Sequence, residues 1–231
     1  SFPQLPYEGG IYTNAAHDKD KVNCIINANA FYNVPAINEF AFKKDMSYLL
    51  KEGAFFSCDI KNLTFEENCE VFGDVECDQI PYFFDANSSI KEIDISAANK
   101  VYNLKFDNFT GLQKFTVGNS SFIGGSLKNC TSLQTIDVGE NAYFLPSSLQ
   151  GCSSLQSVTL QGNSPNDYYY IYYEDDYGRH EVGFNTASEI LSDCDSLRSV
   201  TFKDLRTPPY VFGKDGRDTE CDLIFDNLAT I

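Results

Sequence analysis

Hydrophobic residues recur along the chain in short groups that share one internal spacing. In each group an apolar residue at position i is followed by apolar residues at i+3 and i+5, with less bulky residues between them. The first residues of the seven groups are Ile37, Ile60, Ile90, Leu112, Leu133, Leu155 and Leu197. The steps between groups are 23, 30, 22, 21, 22 and 42 residues. Chance would supply about three such groups at this composition. The near-constant step therefore indicates a repeat, whereas the groups alone would not.

A second set of positions keeps the same register ahead of each group. Large apolar residues stand at i−6, namely Phe31, Phe84, Phe106, Leu127, Leu149 and Leu191. Three of the i−3 positions hold Cys130, Cys152 and Cys194. Free cysteine is among the residue types that proteins bury most often. We therefore expect these cysteines to be reduced and to lie inward, in a turn that precedes a strand.

The i+3 and i+5 positions lie on one side of an extended segment and i+4 lies on the other, which is the alternation of a β-strand. One short strand per repeat cannot bury its apolar side alone, but stacked repeats form a continuous core. The pattern therefore predicts a solenoid in which each repeat adds one strand to a parallel sheet, about 4.8 Å from the last.

The segments "LKNCTSLQTIDV", "LQGCSSLQSVTL" and "LSDCDSLRSVTF" resemble the BspA-type bacterial leucine-rich repeats. Thr207-Pro208-Pro209 is similar to the Pro-Pro turn that often follows the last full repeat of that family. The resemblance implies an α/β-type repeat: a right-handed leucine-rich-repeat solenoid with one parallel sheet of about seven short strands and few helices. It also implies an exported or surface-attached bacterial protein that mediates adhesion.

The chain is expected to be a single domain over residues 1–231. Residues 1–30 would form an N-terminal cap, residues 31–202 the repeat array, and residues 203–231 a C-terminal cap or last partial repeat. The long step before Leu197 is predicted to hold a β-hairpin insertion over residues 166–184, with strands at 168–173 and 179–184.

The net charge of the chain disfavours partners that are themselves negatively charged. The chain has 33 acidic and 17 basic residues and a formal net charge of −16. Such a surface repels nucleic-acid phosphates and anionic lipid headgroups. No apolar run approaches the length of roughly 18 residues that a membrane-spanning helix needs. We expect a monomer without a nucleic-acid partner. Because the sequence does not begin with Met, it would not show an export signal that had been removed.

The sequence offers no set of residues typical of a catalytic or metal site. It has no Cys-x-x-Cys pair, and its two histidines are His17 and His180. Carboxylates are abundant enough for a hydrolase pair, but no spacing singles one out. The acidic segment around Cys69 and Cys77 is interpreted as a solvated loop, and these two cysteines are the best candidates if any disulfide exists. We expect no cofactor, no metal and no enzymatic activity.

Binding is the main functional hypothesis. The outward i+2 and i+4 positions of the strands are polar or small and include no aromatic residue. Binding hot spots favour Tyr, Trp and Arg, which makes that face a poor anchor. The predicted hairpin holds six tyrosines, which we take as candidate partner-binding residues: Tyr168, Tyr169, Tyr170, Tyr172, Tyr173 and Tyr177. They would bind a protein or glycan, or they would pack the hairpin against the solenoid. A spacer or self-assembly unit of a larger surface protein is the alternative function.

Overall fold

The structure is a computed structural model, and it describes residues 11–13, 22–75, 80–87, 89–138, 142–145, 147–161, 168–175, 178–185, 190–203 and 222–226. Within these ranges the chain forms seventeen strands and no helix. We number the strands in chain order. Most of them build a parallel β-solenoid, and three form an additional sheet.

Strands form at all seven of the predicted groups and build the first sheet of the solenoid. They are β3 (Phe40–Phe42), β5 (Leu63–Phe65), β7 (Glu92–Asp94), β9 (Lys114–Thr116), β11 (Thr135–Asp137), β13 (Ser157–Gln161) and β16 (Ser199–Lys203). The hydrogen-bonded pairs β3–β5, β7–β9, β9–β11 and β13–β16 are all parallel. An eighth strand, β17 (Asp222–Asp226), pairs in parallel with β16. The ladder is interrupted between β5 and β7 and between β11 and β13, where the strands still contact one another. The predicted parallel solenoid is confirmed.

The five repeats that start at Ile37, Ile60, Ile90, Leu112 and Leu133 also contribute a second strand each, and one further strand precedes them; the groups of apolar residues do not predict these strands. These strands are β2 (Cys24–Ile26), β4 (Ser47–Leu50), β6 (Glu70–Gly73), β8 (Lys100–Tyr102), β10 (Ser121–Gly125) and β12 (Ala142–Phe144). They form a second, six-stranded sheet in the order β12-β10-β8-β6-β4-β2, with parallel pairing throughout. The solenoid was expected to have one parallel sheet of about seven strands, and the structure adds this second sheet to it. Residues 24–26, expected to belong to an N-terminal cap, lie at the end of the second sheet.

Three of the described turns from the first sheet to the second contain a left-handed residue. Asp45 has φ 57°, Asn68 has φ 57° and Gly118 has φ 58°. Aspartate, asparagine and glycine are the residues that adopt this conformation most readily. A short polar segment can therefore redirect the chain by a sharp angle between two buried strands.

The core lies between the two sheets and is filled mainly by Phe, Leu, Ile and Val. The i−6 residues stack along the solenoid axis together with Phe55, which stands at i−5 of the second group. The rings of Phe31 and Phe55 are 4.8 Å apart and nearly parallel, those of Phe55 and Phe84 are 5.0 Å apart, and those of Phe84 and Phe106 are 5.6 Å apart. These separations match the spacing of adjacent parallel strands. One aromatic column thus holds four successive repeats in register, and leucine continues it from Leu127.

The remaining sheet contains the predicted hairpin. β14 (Tyr168–Asp175) pairs antiparallel with β15 (Gly178–Asn185). The first strand of the chain, β1 (Ile11–Thr13), pairs in parallel with the start of β14. We call these three strands the hairpin sheet. The hairpin prediction is confirmed, although both strands run slightly further than expected.

Candidate functional site

The outward face of the first sheet is exposed, as predicted, and carries no aromatic residue among the described positions. Thr64, Glu92, Asp94, Thr135 and Asp137 are all exposed. A salt bridge of 2.6 Å joins Glu92 to Lys114 across β7 and β9, with both side chains about half exposed. The hydrogen bond from Lys114 to Glu92 raises the pKa of Lys114. Exposed ion pairs of this kind contribute little to stability. The face is polar, and its charged residues are mostly acidic.

The outer face of the second sheet is apolar but largely covered. Ile25, Leu49, Phe72, Tyr102 and Ile123 lie in register across β2, β4, β6, β8 and β10. Leu49 is only 3% exposed and Phe72 only 1%, although the neighbouring residue on each strand faces the core. The ring of Phe72 also packs against that of Tyr102, at 5.7 Å. This row therefore belongs to the packing of the protein, and Ile25 at one end is its exposed member.

The backbone of the hairpin brings five of the six candidate tyrosines onto one strand. Tyr168, Tyr169, Tyr170, Tyr172 and Tyr173 all belong to β14, whereas Tyr177 lies outside the described residues. Because successive residues of a strand belong to opposite faces, the five tyrosines are divided between the two faces of the hairpin sheet. They do not form one cluster.

The repeats on either side of the hairpin stack directly on each other. β13 and β16 pair over five residues. In the preceding turns, the Gly151 N–H donates to the Ser192 carbonyl at 2.9 Å, and the Cys194 thiol donates to the Leu149 carbonyl at 3.2 Å. The residues between 161 and 190 are therefore inserted between neighbouring repeats without separating them.

The three repeat cysteines are buried free thiols, as predicted. The Cys130 thiol donates to the Phe106 carbonyl and the Cys152 thiol to the Leu127 carbonyl, both at 3.3 Å, each in the preceding repeat. Burial raises the pKa of Cys130 and of Cys194 to about 12, and raises that of Cys152 as well. A catalytic cysteine needs a lowered pKa and access to substrate. These thiols hold the repeats together and are not suited to nucleophilic attack.

The interpretation of the acidic segment around Cys69 and Cys77 as a solvated loop was wrong for residues 66–75, whereas residues 76–79 lie outside the described residues. Glu66 and Glu67 lie in a regular turn, and residues 70–73 form β6. Glu66 pairs with Lys43 at 2.7 Å, and Glu67 pairs with Lys44. Cys69 is a fully buried free thiol, so it does not lie in a flexible insertion. Its suggested partner Cys77 is outside the described residues.

The acidic segment also forms ion pairs near β6. Oε1 of Glu70 lies 3.3 Å from Nζ of Lys100, and the buried Asp74 forms an ion pair with Lys51. The carboxylates are thus distributed among lysines of neighbouring repeats. Within the described part of the chain, no three His, Cys, Asp or Glu side chains are grouped closely enough to hold a metal ion.

One polar cluster was not predicted from the sequence. Asp107 is buried and accepts hydrogen bonds from the Ser126 hydroxyl and, at 2.8 Å, from the Lys128 backbone N–H. Burial raises the pKa of Asp107 and lowers that of Lys105, whose Nζ lies 4.5 Å from the centre of the Tyr82 ring. The amino group of Lys105 also donates to the Ile80 carbonyl. These contacts fix the turn between two repeats, and their isolated positions in the sequence gave no periodic signal.

Comparison with protein families matches the chain to a model described as a BspA type leucine-rich repeat region, in six copies, over residues 20–126 and 78–175. The two ranges overlap and together extend from residue 20 to residue 175, more than half of the 231 residues. Comparisons with curated proteins and with solved structures found no match. Among the described residues, no helix has the length and apolar character needed to cross a membrane.

Proposed function

The chain belongs to the BspA-type leucine-rich repeat family, and we propose that it is a non-catalytic binding module that is exported or attached to the surface of a bacterial cell. Its role would be adhesion to a protein or glycan on a host or another cell. Membership of this family supports a role in protein binding or at a surface. Adhesion and export are what we propose in addition.

The observation that carries the proposal is the contrast between two surfaces. The outward face of the first sheet is exposed but lacks aromatic residues among its described positions. The hairpin holds five tyrosines on one strand and is inserted between repeats that stack without it. Binding energy in interfaces is concentrated on aromatic and Arg anchors. We therefore place the partner-binding surface on the hairpin, at Tyr168, Tyr169, Tyr170, Tyr172, Tyr173 and Tyr177.

The test is excision of residues 166–187 and their replacement by a short Gly-Ser linker. Binding of the intact protein is first measured against a panel of extracellular-matrix proteins and glycans. The excision variant should lose binding to the ligands found. Its thermal midpoint should stay within about 2 °C of the intact protein, because β13 and β16 remain paired.

The matched control blocks the other surface. Thr64→Arg and Thr135→Arg place long charged side chains on the exposed face of the first sheet. These variants should bind as the intact protein does. If they lose binding while the excision variant keeps it, the site lies on the first sheet. A large fall in the thermal midpoint of the excision variant would instead show that the tyrosines pack the hairpin onto the solenoid.

A structural spacer or self-assembly unit is the second candidate, and β17 favours it. This strand forms one edge of the group β13-β16-β17, with no strand beyond it among the described residues. An edge strand can pair with another chain. Light scattering of the intact chain at rising concentration tests this function, which requires a mass that increases beyond that of the monomer.

A further inference from the structure

We propose that the hairpin sheet recognises an extended protein segment with Lys or Arg at alternate positions, through the one face that holds Tyr12, Tyr168, Tyr170 and Tyr172. The proposal rests on the function proposed above and adds which face binds and what chemistry it binds.

The strand register defines the two faces. Residues paired across neighbouring strands share a face, and faces alternate along each strand. Tyr12 pairs with Tyr170, and Tyr172 pairs with Glu181. The face that they share, which we call the tyrosine face, also includes Tyr168.

The opposite face has a different composition. Ile11 pairs with Tyr169, which pairs with Phe184, and Ile171 pairs with Val182. Thr13, Tyr173, His180, Asp175 and Gly178 complete the same face. Tyr169 and Tyr173 therefore belong to a mainly apolar face, and Tyr168, Tyr170 and Tyr172 belong to the tyrosine face. Antiparallel sheets commonly turn their more polar face to solvent, which is why we assign binding to the tyrosine face.

Charge indicates a basic partner. Glu174 and Glu181 share the tyrosine face, where Glu174 pairs across the strands with Arg179. The whole chain carries a formal net charge of −16, which attracts a cationic segment over long range. At short range, Lys and Arg cations bind the faces of tyrosine rings. Arg179 offsets one of the two carboxylates, and Glu181, opposite Tyr172, leaves the tyrosine face with a net negative charge that suits a cationic side chain.

Spacing indicates an extended segment. Tyr168, Tyr170 and Tyr172 are separated by two residues each along β14, or about 6.8 Å between Cα atoms. Alternate residues of an extended peptide have the same separation. Basic residues at every second position would therefore meet successive tyrosines, whereas consecutive basic residues would place half of their charges on the far side.

The test uses a fluorescently labelled octapeptide of alternating Arg and Ser, bound to the full chain in 150 mM salt and followed by anisotropy. The double variant Tyr170→Ser/Tyr172→Ser should bind it about tenfold more weakly, from the loss of two cation–π contacts. Tyr170→Phe/Tyr172→Phe keeps the rings and should bind as the intact protein does. Tyr32→Ser removes a tyrosine that is 55% exposed on the solenoid, and it should have no effect. None of these substitutions changes the net charge.

Two further peptides complete the test. An octapeptide with four contiguous Arg followed by four Ser should bind more weakly, and one of alternating Glu and Ser should not bind. Unchanged affinity in the Tyr170→Ser/Tyr172→Ser variant, with its thermal midpoint retained, would overturn the proposal. So would equal affinity for the alternating and contiguous Arg peptides, which would show unspecific attraction to the acidic chain. If the intact protein binds no basic peptide but still loses its matrix or glycan ligand on hairpin excision, the basic partner is wrong and the binding function stands.

Discussion

Equivalent positions in successive repeats can hold chemically different residues when each satisfies the same need for a hydrogen bond. Cys130 and Cys152 meet that need with a thiol that donates to the preceding repeat. At the same position Asn87 donates to the Ile60 carbonyl at 2.9 Å and accepts from the N–H groups of Ser89 and Ile90. A polar side chain is therefore tolerated here only with partners on both its donor and acceptor atoms.

Serine in place of cysteine tests this point. Cys152→Ser should lower the free energy of unfolding by about 1–3 kcal/mol, because the shorter C–O bond moves the hydroxyl away from the Leu127 carbonyl and leaves a buried polar group poorly paired. Chemical denaturation measures the change. Cys24→Ser, at a half-buried thiol in the outermost strand of the second sheet, is the control and should cost less. Equal losses would contradict a special role for the buried position.

The buried thiols also predict a loss of stability at alkaline pH. Folding raises the pKa of Cys130 and Cys194 from an ordinary value of 9.0 to about 12. Below pH 9.0 the thiol is protonated in both the folded and the unfolded chain, so the stabilisation by the buried thiol is fully present. Above pH 9.0 the unfolded chain releases the proton and the folded chain keeps it. The free energy of unfolding therefore falls with rising pH until the pKa of the folded state is reached. The expected loss at pH 10 is about 1 kcal/mol for each thiol.

Urea denaturation at pH 8 and pH 10, with reductant present, measures this loss. Cys130→Ala should show a smaller difference between the two pH values than the intact protein does. An identical difference in both proteins would assign the alkaline loss to other groups.

At the scale of the element, the turn before each first-sheet strand depends on one backbone conformation. The residue that precedes the buried cysteine is left-handed in each case: Asn129 has φ 60°, Gly151 has φ 75° and Asp193 has φ 59°. Backbone hydrogen bonds then join successive turns, from Asn129 to Gln150 at 2.8 Å and from Gly151 to Ser192 at 2.9 Å. The turns thus form a ladder of their own beside the two sheets.

Gly151→Ala should destabilise the protein by about 1–2 kcal/mol, since alanine is strained in the left-handed region. Its Cβ would also lie 2.5 Å from Oδ1 of Asn129, which would have to move. Gly151→Asn should cost less, because asparagine tolerates this conformation and Asn129 already donates to Asn108 at 3.1 Å in the adjacent turn. Thermal and chemical denaturation compare the two variants. A larger loss for asparagine would show that space, not backbone conformation, limits this position.

The elements differ in how far the sequence predicts them. Strands of the first sheet were predictable because three apolar residues at fixed spacing face one core. The second sheet left a weaker signal, a single apolar residue eleven positions after the start of a group, as at Tyr48, Val71 and Val101. Its outer residues, such as Leu49 and Phe72, are apolar too, which removes the alternation that marks a half-buried strand. The lysines that pair with Glu66 and Glu67 belong to the preceding repeat, more than twenty residues earlier in the chain. The composition of the acidic segment does not reveal these partners, and for that reason the segment was interpreted as a solvated loop.

At the scale of the whole molecule, stacking makes stability a sum over neighbouring repeats. The aromatic column from Phe31 to Phe106 and the thiols from Cys130 to Cys194 act in different halves of the solenoid. Both kinds of contact join one repeat to the next. The candidate site could be located from the sequence as a tyrosine-rich insertion, but the addition of Tyr12 to its tyrosine face required the pairing of β1 with β14, which joins residues more than 150 positions apart.

Charge acts on the same scale and opposes compactness. With 33 acidic and 17 basic residues, we expect the folded chain to repel itself more than its ion pairs attract. Raising NaCl from 10 to 150 mM shortens the Debye length from about 30 Å to about 8 Å and should raise the thermal midpoint by screening that repulsion. Asp137→Asn removes one exposed carboxylate from the first sheet, where Thr116 alone separates it from Asp94 across the strands. The variant should therefore unfold at a higher temperature than the intact protein in 10 mM NaCl, with a smaller difference in 150 mM. A thermal midpoint that falls as salt is added would show that ion pairs such as Lys43–Glu66 outweigh the repulsion.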